Sequence, residues 1–258
     1  MFYILSFLFG SSIGSFVQVV ATRLNVAPIT KSRSKCLSCG ETLRVLDLVP
    51  VLSYIFLQGK CRYCKTRFGI SNLVVEFIFG VSFTLLYHYI LREQTTLLLS
   101  FTWLLYYTVL FSILGVMALY DMAHSYIPIS FLFAYGFMTI FMMGLRLQDG
   151  SAPEVLLGPV IVALPFLLVW LITKGKGVGF GDILLFLGVG AFFGVTQGIV
   201  VLLISIWSGA ITGLYLKYFG AYKGKKNIPM PFVPYIAIAF LVVLFTDIDI
   251  FSIASIFA

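Results

Sequence analysis

Residues 183–216 run for 34 positions without a charged side chain, and Leu97–Leu119 and Leu156–Thr173 are apolar runs of the same kind. Stretches of this length belong in lipid. There, every backbone N–H and C=O needs a partner within the chain, so only helices and closed barrels cross. Barrel strands are short and alternate apolar with polar residues, which these runs do not. The composition agrees: 60% of the chain is hydrophobic and 10% charged, with a mean hydropathy of +1.06, whereas soluble domains carry about 25% charged residues. The sequence predicts an all-α polytopic membrane protein. It excludes a soluble enzyme, a disordered chain, a coiled coil and a disulfide-rich secreted scaffold.

Eight spans account for the apolar runs: residues 2–22, 73–91, 97–119, 129–145, 155–173, 182–195, 198–216 and 231–246. The sixth and seventh come from dividing the 34-residue run. Undivided it would be a helix of about 51 Å, against a hydrocarbon core of about 30 Å. The polar pair Thr196-Gln197 marks the expected break, giving a short helix and then a full one.

Basic residues favour the cytosolic side of a membrane. With eight spans, 15 of the 17 Lys and Arg fall on one face: nine between the first two spans, Lys174 and Lys176 after the fifth, and Lys217, Lys223, Lys225 and Lys226 after the seventh. Only Arg92 and Arg146 are left for the other face, together with Glu93, Asp149, Glu154, Asp247 and Asp249. Seven spans would put the last basic cluster outside. The expectation is a multi-pass protein of the cytoplasmic (inner) membrane with both termini outside. The first apolar run precedes Arg23 and follows no basic residue, the reverse of a secretory signal peptide, so it reads as a retained span. The net charge of +7 is topology and attraction to anionic lipid, and calls for no nucleic acid.

All four cysteines stand in the first loop, as Cys36-Leu37-Ser38-Cys39 and Cys61-Arg62-Tyr63-Cys64. Two such knuckles supply the four thiolates of a tetrahedral zinc site, as in zinc ribbons. On the cytosolic side disulfides are rare, and a loop of about 50 residues with few large apolar side chains needs a staple to fold. Structural zinc bound by Cys36, Cys39, Cys61 and Cys64 is the expectation. Two disulfides or a redox pair are the alternatives.

Ionisable groups within a membrane are costly and mark function. Three qualify: Glu76, Asp121 and Asp182. Asp121 closes the third span, ahead of Ile127-Pro128. Asp182 follows Gly179-Phe180-Gly181 and opens the short sixth span, which sinks it beneath the interface. Two carboxylates meeting in such a place share a proton, the chemistry by which aspartic proteases activate water against an amide. Gly179 and Gly181 would let a substrate backbone come close. Against this, an Asp at a helix end is often a cap, Gly-x-Gly is often packing, and Glu76 can be a first-turn acid. His124 reads as a loop histidine, and His88 has no ligand partner at useful spacing.

Taken in order, these motifs resemble a known family along nearly the whole chain. The opening Gly14-Ser15-Phe16 through Arg23, the double CxxC loop, Asp47 to Tyr54, Leu57 to Cys61, Ile70-Ser71 with Glu76, Asp121 to Pro128, Gly179-Phe180-Gly181-Asp182, and Met230 to Tyr235 are similar to the type IV prepilin peptidases of the GxGD aspartic class. The sequence departs from that family's usual pattern at Gln18, Leu184 and Val233, where Asn, Lys and Gly are common. The resemblance implies a membrane aspartic endopeptidase with Asp121 and Asp182 catalytic, and Gly179, Gly181, Pro128 and Glu76 as motif or substrate-approach residues. It implies prepilin or pseudopilin substrates cut at the cytosolic face after a Gly. It also implies N-methylation of the new N-terminus from S-adenosylmethionine, with no residues that the sequence ties to the donor. The corresponding division is a first helix over 1–22, a zinc-binding, methyltransferase-associated loop over 23–72 and a peptidase domain over 73–258. A zinc-stapled transporter or receptor, using its acids for a cation or proton, is the competing reading.

Overall fold

The computed structural model describes residues 1–26, 28–29, 34–36, 38–92, 96–148, 152–219 and 230–252. Among these the secondary structure is helical, apart from two isolated bridges. The long helices are α1 (Phe2–Arg23), α3 (Ile70–Arg92), α4 (Leu97–His124), α5 (Ile129–Leu147), α6 (Ala152–Thr173) and α7 (Phe180–Tyr218), with a shorter α8 (Val233–Thr246). A 3₁₀ turn over Val45–Leu48 and α2 (Leu52–Phe56) lie in the loop between α1 and α3. Six of the helices are long and apolar enough to cross a membrane, and α8 is apolar but shorter. The chain is a multi-pass membrane protein. Of the basic residues that set its expected topology, Lys31, Arg33, Lys223, Lys225 and Lys226 lie outside the described residues.

The chain forms two compact units, residues 1–112 and 113–258, with the boundary inside α4. In the first, α1 lies along α3. Gly10 and Gly14 face Phe79 and Phe83, and Gly80 faces Phe7 and Ser11, the small-residue contact that lets helices approach closely in lipid. Phe83, fully buried, stacks edge-on against Phe9 at 5.4 Å and Phe111 at 6.0 Å.

In the second unit α7 is the centre, packed on α5, α6 and α8. It is two helices, not one. Gly194 has φ 76° and ψ −162° inside it, a left-handed backbone that side chains resist. Beyond it the chain turns back. A Cβ at Gly198 would stand 3.7 Å from the Cα of Gly190, although eight residues of straight helix span about 12 Å. The expected division of the 34-residue run is present, two residues before the Thr196-Gln197 pair. Thr196 and Gln197 begin the second arm, while the break itself falls on the residue whose φ requires glycine.

The arms are unequal. Asp182 stands twelve residues from Gly194, about 18 Å along the first arm, and Lys217 stands 23 residues from it, about 34 Å along the second. Asp182 is therefore about 16 Å short of Lys217 along the hairpin. Close glycine contacts hold the first arm in place: Gly190 against Gly158 of α6, and Gly188 against the ring of fully buried Tyr135 of α5. The Tyr135 hydroxyl donates to the Leu185 carbonyl at 3.4 Å.

Candidate active site

Asp121 sits in the last turn of α4, which runs five residues past the expected end of that span. The residue is only 6% exposed, so its carboxylate needs donors. The entry to α8 supplies them. Val233 N–H donates to Asp121 Oδ2 at 3.1 Å, and the N–H of Phe232 also hydrogen-bonds the carboxylate. Pro231 and Pro234 have no N–H, so Phe232 and Val233 are left as the donors of this turn. Phe232 is fixed by rings from two other helices, Phe166 at 5.4 Å and Phe186 at 6.2 Å. In the sequence Met230 to Tyr235 stands out only as a family-like motif, and the spacing of Pro231 and Pro234 is the one signal in it for this contact.

Asp182 is half-buried in the first turn of α7, with Gly179 as N-cap. Its carboxylate accepts the N–H of Gly179 and is near enough to Asp121 to feel that group's charge. Gly181 brings the two together. A Cβ there would stand 2.9 Å from Ile127 Cδ1, so the first turn of α7 is pressed onto the segment that leaves Asp121. Pro128 caps α5 from the same segment, with its carbonyl accepting from Phe131 and Leu132 at 3.1 Å. The space left by the missing side chain at Gly181 is thus filled by Ile127. Phe180, between the two glycines, is exposed and lies 5.7 Å from Trp170.

Glu76 belongs to the first unit and makes its contacts there. Its Oε2 accepts the N–H of Val51 at 2.7 Å, and the Ser15 side chain also hydrogen-bonds it. Val51 has φ 61°, a strained backbone for a β-branched residue, and the Glu76 bond secures it. Nearby, Gln18 Nε2 donates to the Asn72 carbonyl at 3.0 Å.

The four cysteines converge, with all their sulfurs within 4.8 Å of one another. The knuckles have the same geometry. Cys36 N–H donates to the Glu41 carbonyl at 2.9 Å and Cys61 N–H to that of Thr66 at 2.8 Å, and bridges Lys35–Thr42 and Lys60–Arg67 close them. Cys36 Sγ and Cys64 Sγ are 3.8 Å apart, the edge of a tetrahedron built on metal–sulfur bonds of about 2.3 Å. Backbone N–H groups of Cys39 and Ser38 lower the Cys36 thiol, and the Thr66 hydroxyl and N–H hold that of Cys64 at about 6. A backbone N–H from Glu41 favours the Cys39 thiolate, yet desolvation and the neighbouring thiols push it up to about 12. Four thiols this close cannot all ionise alone, and a divalent cation removes the conflict. These residues fit a metal ion held by four thiolates, with no position left open for chemistry. Asp47 braces the second knuckle. Its side chain is 2% exposed, accepts Arg62 Nε at 2.7 Å and takes the Arg44 N–H at 3.1 Å.

Residues 8–90 match the model of the bacterial peptidase A24 N-terminal domain, and residues 108–214 match that of the type IV leader peptidase family. A prepilin leader peptidase/N-methyltransferase of Bacillus subtilis is 30% identical over 90% of this chain and 89% of its own length. Proteins of the same description from Pseudomonas putida and Dichelobacter nodosus are 27% and 30% identical, over 92% and 80% of this chain and 88% and 68% of their own lengths. No solved structure matches the chain.

Proposed function

The chain belongs to the type IV prepilin leader peptidase family, and we propose that Asp121 and Asp182 are its catalytic pair, hydrolysing the leader of a type IV prepilin or pseudopilin at the cytosolic face of the inner membrane. The observation that carries this is the approach of two carboxylates from separate helices, one buried and one half-buried. Neighbouring carboxylates in a site of low dielectric share one proton. The ionised member takes a proton from a water molecule whose oxygen attacks the scissile carbonyl carbon. The protonated member donates to the carbonyl oxygen. The C–N bond then breaks as the leaving nitrogen takes a proton, which frees the new N-terminus. The N–H groups of Phe232 and Val233 hold the Asp121 carboxylate in one orientation. The basic leader would stay with the cytosolic charges while the apolar helix stays in lipid, which brings the scissile bond to the depth of Asp182.

The metal held by the four cysteines is zinc, in a structural role that folds the cytosolic loop. With the loop cytosolic, both termini lie outside, and the division into residues 1–22, 23–72 and 73–258 follows the roles of first helix, zinc loop and peptidase. N-methylation of the cleaved product would use S-adenosylmethionine. Among the described residues of the loop the secondary structure is a 3₁₀ turn, the short α2 and two isolated bridges, with no glycine-rich turn leading into a helix of the kind that binds nucleosides.

Asp121→Asn and Asp182→Asn, each co-expressed with a candidate prepilin, test the reading by mass spectrometry of the pilin. Both are expected to accumulate with uncut substrate. Full leader removal by either variant overturns the assignment.

A further inference from the structure

A helix broken inside a membrane leaves carbonyls at the end of one arm and N–H groups at the start of the next without partners. At the α7 break, charged side chains from two other helices take them. Arg146, in the last turn of α5, donates from Nη1 to the Phe192 carbonyl at 2.7 Å. Glu154, in the first turn of α6, accepts the Thr196 hydroxyl at 2.5 Å and the Thr196 N–H at 3.3 Å on Oε1. The signs match the helix ends, with a cation on the carbonyl end of the first arm and an anion on the N–H end of the second. Gly194 lies between them. A Cβ there would stand 3.3 Å from Glu154 Oε1 and 3.7 Å from Arg146 Nη1. Arg146 is also one of the two basic residues that the charge pattern leaves on the face opposite the basic loops, and this contact gives it a role there.

We propose that Arg146 and Glu154 are positioning residues for peptide cleavage, acting through the turn of the α7 hairpin to set the height and rotation of Asp182. This rests on the peptidase reading above. A slide of about 1 Å along the arm carries Asp182 by the same distance, and displacements near 1 Å can cost about a hundredfold in rate. The contacts of Gly188 and Gly190 restrain the arm sideways. Glycine contacts resist sliding and turning about the helix axis less than directional bonds do, and those bonds are the one from Tyr135 to the Leu185 carbonyl and the ones from Arg146 and Glu154 at the break. The reach of the two side chains therefore fixes the geometry of a carboxylate at the other end of the arm.

The test measures kcat and KM per folded molecule for the full-length protein in lipid nanodiscs, with a prepilin as substrate. Arg146→Met is expected to lower kcat about tenfold or more with KM within about twofold, while Arg146→Lys keeps kcat within about threefold. The exchange Arg146→Glu with Glu154→Arg keeps both charges at the break but points each at the wrong helix end, so it is expected not to recover activity. Unchanged kcat in Arg146→Met, or recovery to wild-type kcat in the exchanged pair, overturns the proposal. If Arg146→Met does not accumulate, Thr196→Val decides the question. It removes one bond to Glu154 and no charge, and a kcat equal to wild type sinks the idea. Asp121→Asn runs alongside. If it still cleaves, the peptidase reading fails; if it is inactive while Arg146→Met and Thr196→Val are normal, only the positioning role fails.

Discussion

The N–H of Val233 points at Oδ2 of Asp121 from 3.1 Å, joining the first turn of α8 to the last turn of α4 across 112 residues of sequence. A hydrogen bond to a charged group contributes about 1.5–3 kcal/mol. Val233→Pro removes the donor, and cleavage is expected to fall between about tenfold and a hundredfold. Val233→Ala keeps the N–H and is expected to keep most of the activity. Equal rates for the two variants in a prepilin cleavage assay would show that the bond is idle.

Gly158 and Gly190 meet backbone to backbone. A Cβ on Gly158 would be 2.8 Å from Gly194 Cα, and one on Gly190 would be 2.6 Å from Pro159 N. Backbone cannot give way as a flexible side chain does, so Gly158→Ala and Gly190→Ala should each cost at least the ~1–3 kcal/mol of ordinary overpacking. A fall of about 5 °C or more in the thermal midpoint is expected. Gly136→Ala and Gly144→Ala in α5 are the controls, since a Cβ at either meets nothing within 4 Å. Both should be neutral or slightly stabilising, by helix propensity.

Gly181 presses on Ile127 through the end of a side chain, which is a softer contact. Gly181→Val is expected to push the first turn of α7 away from the Asp121 segment and lower kcat about tenfold. Ile127→Ala in the same chain opens the space again, and partial recovery is expected. A double variant no better than Gly181→Val alone would place the damage elsewhere, for example in access of the substrate backbone.

Metal analysis of the purified protein is expected to give about one zinc per chain. Cys36→Ser and Cys61→Ser remove the two buried ligands and should abolish binding. Stripping the metal should unfold the loop and expose it to limited proteolysis between residues 34 and 68, while the helices stay intact. Stoichiometric disulfides, or full metal in both serine variants, would contradict this.

The helices were legible because apolar length is a coarse and strong signal, and so was the hairpin, since 34 apolar residues cannot lie straight in one bilayer. Its turn was read two residues late. Polarity singled out Thr196-Gln197, but the geometry needed a left-handed φ, which Gly194 supplies. The acids and cysteines were legible by type and spacing, and the structure draws Asp121 near Asp182 and gathers the four sulfurs. What the sequence hid was carried by backbone and by shape. The donors to Asp121 are main-chain N–H groups, which every residue but proline has, so only the prolines around them hinted at their use. Gly181 suggested room for a substrate, and the fold gives that room to Ile127. Arg146 stood out only as an exception to the charge rule until its partner, the Phe192 carbonyl, was seen.

The legs of the α7 hairpin are unequal, the shorter ending about 16 Å before the longer. A neighbouring helix seated beside the shorter leg and reaching the level of Lys217 would overhang the end of that leg by about eleven residues. The shorter leg offers that overhang no surface to lie against. A segment in that position is the part of such a visitor most readily uncoiled, and the carboxylates wait at its root.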